Sequence, residues 1–305
     1  MVYTVTLNPA IDYVVGLDSL ICGTINRNRW EEIQFGGKGI NVSSVLRTLG
    51  VETVALGFVA GFTGEALEKG LREMGMATRF VYVERGMTRI NVKIKAAEET
   101  EINGIGPEIT TEDLEKFYSQ LDEIGEGDTL VLSGSVPKCL GADTYAAILQ
   151  RLQGRGIRTV VDAAGSSLRS VLPYGPFLVK PNHHELADFF GIRMNTEEDI
   201  LNAAEKMQKM GARNVLISMA GDGALLLDET RCVHRINCPQ GEVVNSVGAG
   251  DSMVAGFLTG YLATGDYGTA LKLGVAAGSA TAFCTGLANR CAIEAIWKRL
   301  QHDYR

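Results

Sequence analysis

A chain of 305 residues that is 46% hydrophobic and 21% charged carries enough apolar mass for one full core with room for a small appendage. Its net charge of −7, with 36 acidic against 29 basic side chains, excludes a nucleic-acid surface and requires that any anionic ligand be met by individually placed cations. No apolar stretch reaches membrane-spanning length, and the N-terminus runs into a strand-like segment without a basic, apolar leader, so a cytoplasmic protein without nucleic-acid or membrane partners is expected.

In chain order, strands are expected at residues 3–7, 54–59, 129–133, 159–162, 177–180 and 215–218, with Gly-punctuated helices following them, among them 142–153 and 197–210. This alternation predicts an α/β fold with a mostly parallel sheet covered by helices on both faces. The first strand ends at Asn8-Pro9, which brings Asp12 to the carboxyl edge of the sheet, where ligands of such folds bind. Two stretches, about 11–35 and 88–106, break the alternation. The second contains Arg89-Ile90-Asn91-Val92-Lys93-Ile94-Lys95, apolar and polar by turns, so a small sheet projecting from the main body is expected. No repeat or Pro-rich linker divides the chain, and residues 1–305 read as a single domain.

Residues 35–50 place Gly36, Gly37, Lys38 and Asn41 at the start of an amphipathic helix. The diglycine admits a ligand close to the backbone, and Lys38 and Asn41 offer one cation and one amide at its rim. Later, Asn182 and Glu185 lie three apart after a strand and share a helical face. That spacing suits hydrated magnesium near phosphates, and it equally suits a capping box. Residues 243–257 read as an extended apolar run, a Gly-rich turn and a small-residue helix that opens on Asp251. The turn Gly248-Ala249-Gly250 aims N–H groups and the positive end of a helix dipole at one point, where a transferring phosphoryl group is held. A carboxylate beside such an anion site has a use if it accepts a hydroxyl proton; otherwise the glycines are caps and Asp251 an ordinary first-turn residue. No Walker-type loop is present, so the phosphate cradle falls to residues 248–250.

Cys22, Cys139, Cys232, Cys238, Cys284 and Cys291 fit no zinc or redox spacing and are expected to be free, mostly buried thiols. His183 and His184 are adjacent, point in different directions on a helix, and are read as structural or surface residues.

Together, Gly36-Gly37-Lys38-Gly39-Ile40-Asn41 and Gly248-Ala249-Gly250-Asp251 resemble the two patterns of the PfkB family of ribokinase-like carbohydrate kinases, and the resemblance runs over essentially the whole chain. Three further segments, Thr4-Val5-Thr6-Leu7-Asn8-Pro9-Ala10-Ile11-Asp12, Thr88-Arg89-Ile90-Asn91-Val92-Lys93 and Gly106-Pro107-Glu108-Ile109, are similar to the branch of that family that acts on fructose 1-phosphate. The resemblance implies a ribokinase-like three-layer fold, with the small sheet as a lid over the sugar and as the contact of a homodimer. It also implies phosphorylation of fructose 1-phosphate at the C6 hydroxyl by ATP with Mg2+, giving fructose 1,6-bisphosphate and ADP. Tagatose-6-phosphate kinase and 6-phosphofructokinase activities are alternatives on the same scaffold. A catalytically silent sugar-phosphate sensor is the non-enzyme alternative, against which an intact Asp251 argues.

On this reading Asp251 is the base, and Gly248, Ala249 and Gly250 stabilise the transferring group. Asp12, Gly37 and Asn41 orient the sugar. A substrate that already carries phosphate needs cations from an acidic protein, and these are Arg89 and Lys38, then Arg27 and Arg29, with the hydroxyl of Ser135. Lys180, Asn182, Ser218, Gly223, Gly248, Gly250, Gly278 and Asn289 face the nucleotide, and Glu185 holds magnesium through water. Ser218-Met219-Ala220-Gly221-Asp222-Gly223 resembles the adenine-nucleotide loop of the family, with Ala220 where the family carries glycine.

Overall fold

The computed structural model describes residues 1–303. Strand β1 (Val2–Thr6) leads into the hairpin β2 (Ala10–Gly16) and β3 (Trp30–Gly36), after which α1 (Lys38–Thr48), β4 (Thr53–Ala60), α2 (Gly61–Glu73) and β5 (Ala77–Val83) follow. Strands β6 (Arg89–Lys95) and β7 (Thr100–Asn103) return to the hairpin. The alternation then runs through α3 (Thr111–Leu121), β8 (Thr129–Ser133), α4 (Thr144–Leu152), β9 (Arg158–Asp162), α5 (Gly165–Val171), β10 (Leu178–Val179), α6 (His183–Phe190), α7 (Glu197–Lys209) and β11 (Asn214–Ser218). It closes with β12 (Ala224–Leu227), β13 (Val233–Ile236), α8 (Ala249–Thr264), α9 (Tyr267–Ala282) and α10 (Arg290–Asp303).

The central sheet has the order β13-β12-β11-β10-β9-β8-β1-β4-β5. From β11 to β5 every neighbour is parallel. Strands such as β8 are buried at every residue, as a sheet covered on both faces requires. Phe58, Phe117, Tyr145 and Met207 fill the core on one face, and Val42, Leu46, Phe177 and Phe257 fill the other. Helices α8 and α9 approach closely through small residues: a Cβ on Gly278 would stand 3.0 Å from the Ala249 carbonyl oxygen. The expected strands and the helices 142–153 and 197–210 form within a residue or two of their predicted ends.

The edge strands β12 and β13 are antiparallel, because a short hairpin can extend a parallel sheet without a crossover helix, and the sheet is mostly parallel as expected. Two features differ from the sequence reading. Val243 and Val244 lie exposed in a loop instead of extending a strand; the N–H of Val244 is taken by the Ala282 carbonyl at 2.8 Å. All six cysteines are free, yet none is fully buried, since each sits in a loop or at a helix end, with Cys284 packed against the edge of one core.

The small sheet has the order β3-β2-β6-β7. β2 and β6 run parallel at its centre and the outer strands are antiparallel to them. It contains the segments expected at 11–35 and 88–106. Among the described residues no helix is long and apolar enough to cross a membrane.

Candidate active site

Strand β9 ends on Asp162 and the residue after β10 is Lys180, both at the carboxyl edge of the central sheet. Helices α1 and α8 start at the same edge with Lys38 and Asp251 in their first turns. Four charged side chains from distant parts of the chain therefore converge. Asp162, itself buried, lies 3.3 Å from Lys180 Nζ and 3.8 Å from Lys38 Nζ. Its charge is the main cause that holds the Lys38 ammonium above its ordinary pKa.

Asp251 is buried and takes one close partner, the amide Nδ2 of Asn41, which donates to Oδ2 at 2.8 Å. Burial, then the like charge of Asp162, push its pKa up to about 6, against the opposing pull of Asn41, Lys38 and Lys180. Such a carboxylate is ionised at neutral pH and still basic enough to accept a proton in a transition state. Before it, Gly248 caps α8 with φ +81°, a conformation that glycine adopts without penalty. Of the expected cradle, the N–H of Ala249 is spent on the Ser246 carbonyl at 3.2 Å. Among the described residues the N–H groups of Gly248, Gly250 and Asp251 have no backbone acceptor and are available to an anion.

A cavity of about 580 Å³ opens on one side of this centre, lined by Thr6, Asn8, Gly37, Lys38, Arg89 and Ser135 among others. The half-buried Arg89 donates from Nε to the Asn8 carbonyl at 3.1 Å, and desolvation pulls its pKa down while the charge of Asp12 opposes that shift. Asp12 is buried on β2 with both carboxylate oxygens engaged. Asn91 Nδ2 donates to Oδ1 at 2.8 Å and Lys93 Nζ lies 2.8 Å from Oδ2. Asn91 Oδ1 in turn accepts the N–H of Gly104 at 3.2 Å. The three segments that carried the branch resemblance thus meet at one place: Asn8 and Asp12 from the first, Arg89, Asn91 and Lys93 from the second, and Gly106 from the third, packed against the Asn8 side chain.

A second cavity, of about 340 Å³, lies on the other side and is lined by Asn182, Ser218, Ala220, Gly223, Gly250 and Gly278 among others. Asn182 and Glu185 form a reciprocal capping box, with the Glu185 N–H donating to Asn182 Oδ1 at 2.8 Å and the Asn182 N–H to Glu185 Oε2 at 2.9 Å. Among the described residues Glu185 Oε1 has no hydrogen-bond partner. Ala220 has φ +47°, the left-handed region that costs a residue with a Cβ about 1–2 kcal/mol.

Three expected residues lie elsewhere. Asn289 caps α10, its Oδ1 accepting the Ala292 N–H at 3.0 Å, and lines neither cavity. Arg27 and Arg29 are exposed on the loop between β2 and β3. Arg29 is paired with Asp18 at 2.6 Å, so this chain does not carry either arginine to its own cavity. Conversely, the sequence reading gave no role to Asp162, Asn91 or Lys93. The signals were present: Asp162 closes an expected strand at the ligand-binding edge, and Asn91 and Lys93 stand two and four residues after Arg89, on the same face of an expected strand. Away from the site, ligand-type atoms of Asp228, Cys232 and His234 lie within 4.8 Å of one another. Asp228 is committed there to the β12–β13 turn, where Oδ1 accepts the N–H groups of Thr230 and Cys232.

The model of the pfkB family carbohydrate kinases matches residues 2–295. The chain belongs to that family. The 1-phosphofructokinase of Bacillus subtilis is 47% identical over 283 residues, which cover 93% of each chain. The D-tagatose-1-phosphate kinase of Bacillus licheniformis is 36% identical over 302 residues, 99% of each chain. Among solved structures, phosphofructokinase-2 from Escherichia coli in complex with substrates and products superposes with a TM-score of 0.92 at 29% identity, covering 98% of this chain and 99% of that one. The ribokinase-like fold of the family, with its mostly parallel central sheet and separate small sheet, is the fold described above.

Proposed function

We propose that this family member is an ATP-dependent sugar-phosphate kinase that phosphorylates the C6 hydroxyl of fructose 1-phosphate, releasing fructose 1,6-bisphosphate and ADP. The observation that carries the reading is the buried Asp251, bonded to Asn41, directly after Gly250 of one cavity wall and within electrostatic reach of Lys38 of the other. Asp251 takes the proton of the attacking hydroxyl as the free N–H groups at the start of α8 receive the developing phosphoryl charge. Lys38 and Lys180, gathered by Asp162, flank the transfer path with positive charge. On the sugar side Arg89 and Lys38 meet the phosphate already on the substrate, and Asp12 meets its hydroxyls from a position fixed by Asn91 and Lys93. Ser218, Ala220, Gly223 and Gly278 form the wall that receives ATP.

Among the described residues Glu185 keeps one carboxylate oxygen outside its capping box, a hard oxygen donor that fits a hydrated magnesium ion. Bound there through water by Glu185, magnesium supplies charge neutralisation to the nucleotide phosphates. The same reading makes residues 1–305 one kinase domain, acting in the cytoplasm, with the small sheet as a lid that shields the phosphoryl donor from water. Exposed Trp30, Ile33 and Ile102 on that sheet support a homodimer formed through the lid. A substrate role for Arg27 and Arg29 then requires that interface.

The test is ADP release by purified protein with Mg-ATP and equal, sub-saturating fructose 1-phosphate, tagatose 1-phosphate, fructose 6-phosphate and tagatose 6-phosphate. Preference for fructose 1-phosphate is expected. Preference for tagatose 1-phosphate keeps the phosphate pocket and reassigns the sugar, and preference for a 6-phosphate contradicts the placement of the substrate phosphate.

A further inference from the structure

His183 and His184 are adjacent in sequence, and the expectation that they point apart is not met. They open α6 with ring centroids 3.9 Å apart, and both line the nucleotide-side cavity. His183 is held to the end of β11: its Nδ1 lies 3.4 Å from the Ser218 carbonyl oxygen, which can only accept, so this nitrogen carries the proton. His184 is exposed, and among the described residues no hydrogen bond or ion pair engages its ring. Both of its nitrogens are open to a ligand, and even a neutral imidazole donates from one of them.

The charge around the cavity gives the pair a use. Among the described residues its wall carries neither lysine nor arginine, and His183 and His184 are the only side chains on it able to carry positive charge. Lys180, beside Gly250, is buried and paired with Asp162 at 3.3 Å; Lys38 lines the other cavity. A nucleoside polyphosphate brings several negative charges to this wall, and charge-assisted donors are what hold them. Val243, Val275, Ala282 and Phe283 on the same wall suit its purine. Its phosphates must lead to the start of α8, and the first turn of α6 lies along that route. Asn182 and Gly250 share the wall, and Lys38, held protonated foremost by Asp162, also feels the charge of Glu185, one residue beyond His184.

We propose that His184 is a nucleotide-binding residue that donates a ring N–H to the polyphosphate of the bound nucleotide, with His183 packed beside it as a positioning residue. The proposal rests on the sugar-phosphate kinase reading above and names a phosphate contact that reading does not contain.

The experiment titrates adenosine, AMP, ADP and ATP, each with Mg2+, into the unaltered protein, His184→Ala, His184→Lys, His183→Ala and the double alanine variant. His184→Ala is expected to weaken ATP and ADP about tenfold, the loss of one hydrogen bond to a charged group, and to leave the affinities for adenosine and fructose 1-phosphate unmoved. His184→Lys returns a donor and a charge and is expected to keep the ATP affinity. A His184→Ala protein that binds ATP as the unaltered protein does, or that loses adenosine and ATP equally, overturns the proposal, as does a His184→Lys protein as weak as His184→Ala. His183→Ala is expected to weaken ATP less and to add nothing in the double variant; additive losses overturn its positioning role. Turnover of fructose 1-phosphate, assayed separately, tests the kinase reading: its absence, with the graded nucleotide losses intact, sinks that reading and leaves the His184 contact standing. An unaltered protein that binds none of the four nucleotides and nucleosides overturns both.

Discussion

Asp12 and Asp251 are both buried carboxylates, and their surroundings differ. Asp12, in the small sheet, has an ammonium and an amide on its two oxygens at 2.8 Å each. Asp251, at the start of α8, has one neutral amide, and the two nearby lysines are drawn to Asp162. The first arrangement makes a fixed anion that orients hydroxyls. The second makes a carboxylate whose charge is costly and whose proton affinity is correspondingly high. The difference teaches that Asp162 works by position: it holds positive charge along the transfer path while keeping its neighbour basic.

Four substitutions break or sharpen this comparison. Asp251→Asn is expected to lower kcat by roughly 10²- to 10⁴-fold, the usual contribution of a general base, and to stabilise the fold. The sign follows from linkage. The folded state holds the Asp251 proton up to about pH 6 while the unfolded chain releases it near 3.8, so the carboxylate lowers stability progressively between those values and fully above them. Thermal unfolding at pH 7.5 should show a higher Tm for the variant, and the gain should vanish near pH 4. Asp162→Asn leaves Lys38 and Lys180 without their anion. It should destabilise by about 3–5 kcal/mol, lower Tm by roughly 5–8 °C, and bring the pKa of Asp251 down, which a shift of the acidic limb of kcat/KM to lower pH would register. Lys93→Met frees Asp12 from its cation. It is expected to raise the KM for the sugar phosphate about tenfold and to leave the KM for ATP and the acidic limb unmoved; a shifted limb would show that the two carboxylates are coupled. Ala220→Gly removes a left-handed alanine and should stabilise by about 1 kcal/mol, raising Tm by roughly 1–2 °C, as a thermal melt would show.

Much of the main body is legible in the sequence because local signals suffice there. Apolar runs such as Thr129–Ser133, buried at every residue, declare a covered strand, and the Gly-Ala-Gly-Asp turn declares a helix start aimed at an anion. What was missed depends on partners far apart in the chain. Asp162 acquires its role only when α1, β10 and α8 converge on the end of β9. Asn91 and Lys93 acquire theirs only through the parallel pairing of β2 with β6, which sets Asp12 opposite Asn91, and no local pattern specifies that pairing. The spacing of Asn182 and Glu185 was ambiguous for a related reason, since a capping box and a cation site use the same three-residue offset, and the box does form. Asn289 was misplaced because a helix cap and a cavity border look alike in a loop sequence.

The most direct test of Asp251 as a buried base is the pH dependence of kcat/KM for fructose 1-phosphate at saturating Mg-ATP between pH 5 and 8. The expected profile is flat above neutrality and falls tenfold per pH unit below about 6, the value set by burial and by Asp162. A profile that stays flat down to pH 5 would contradict the assignment.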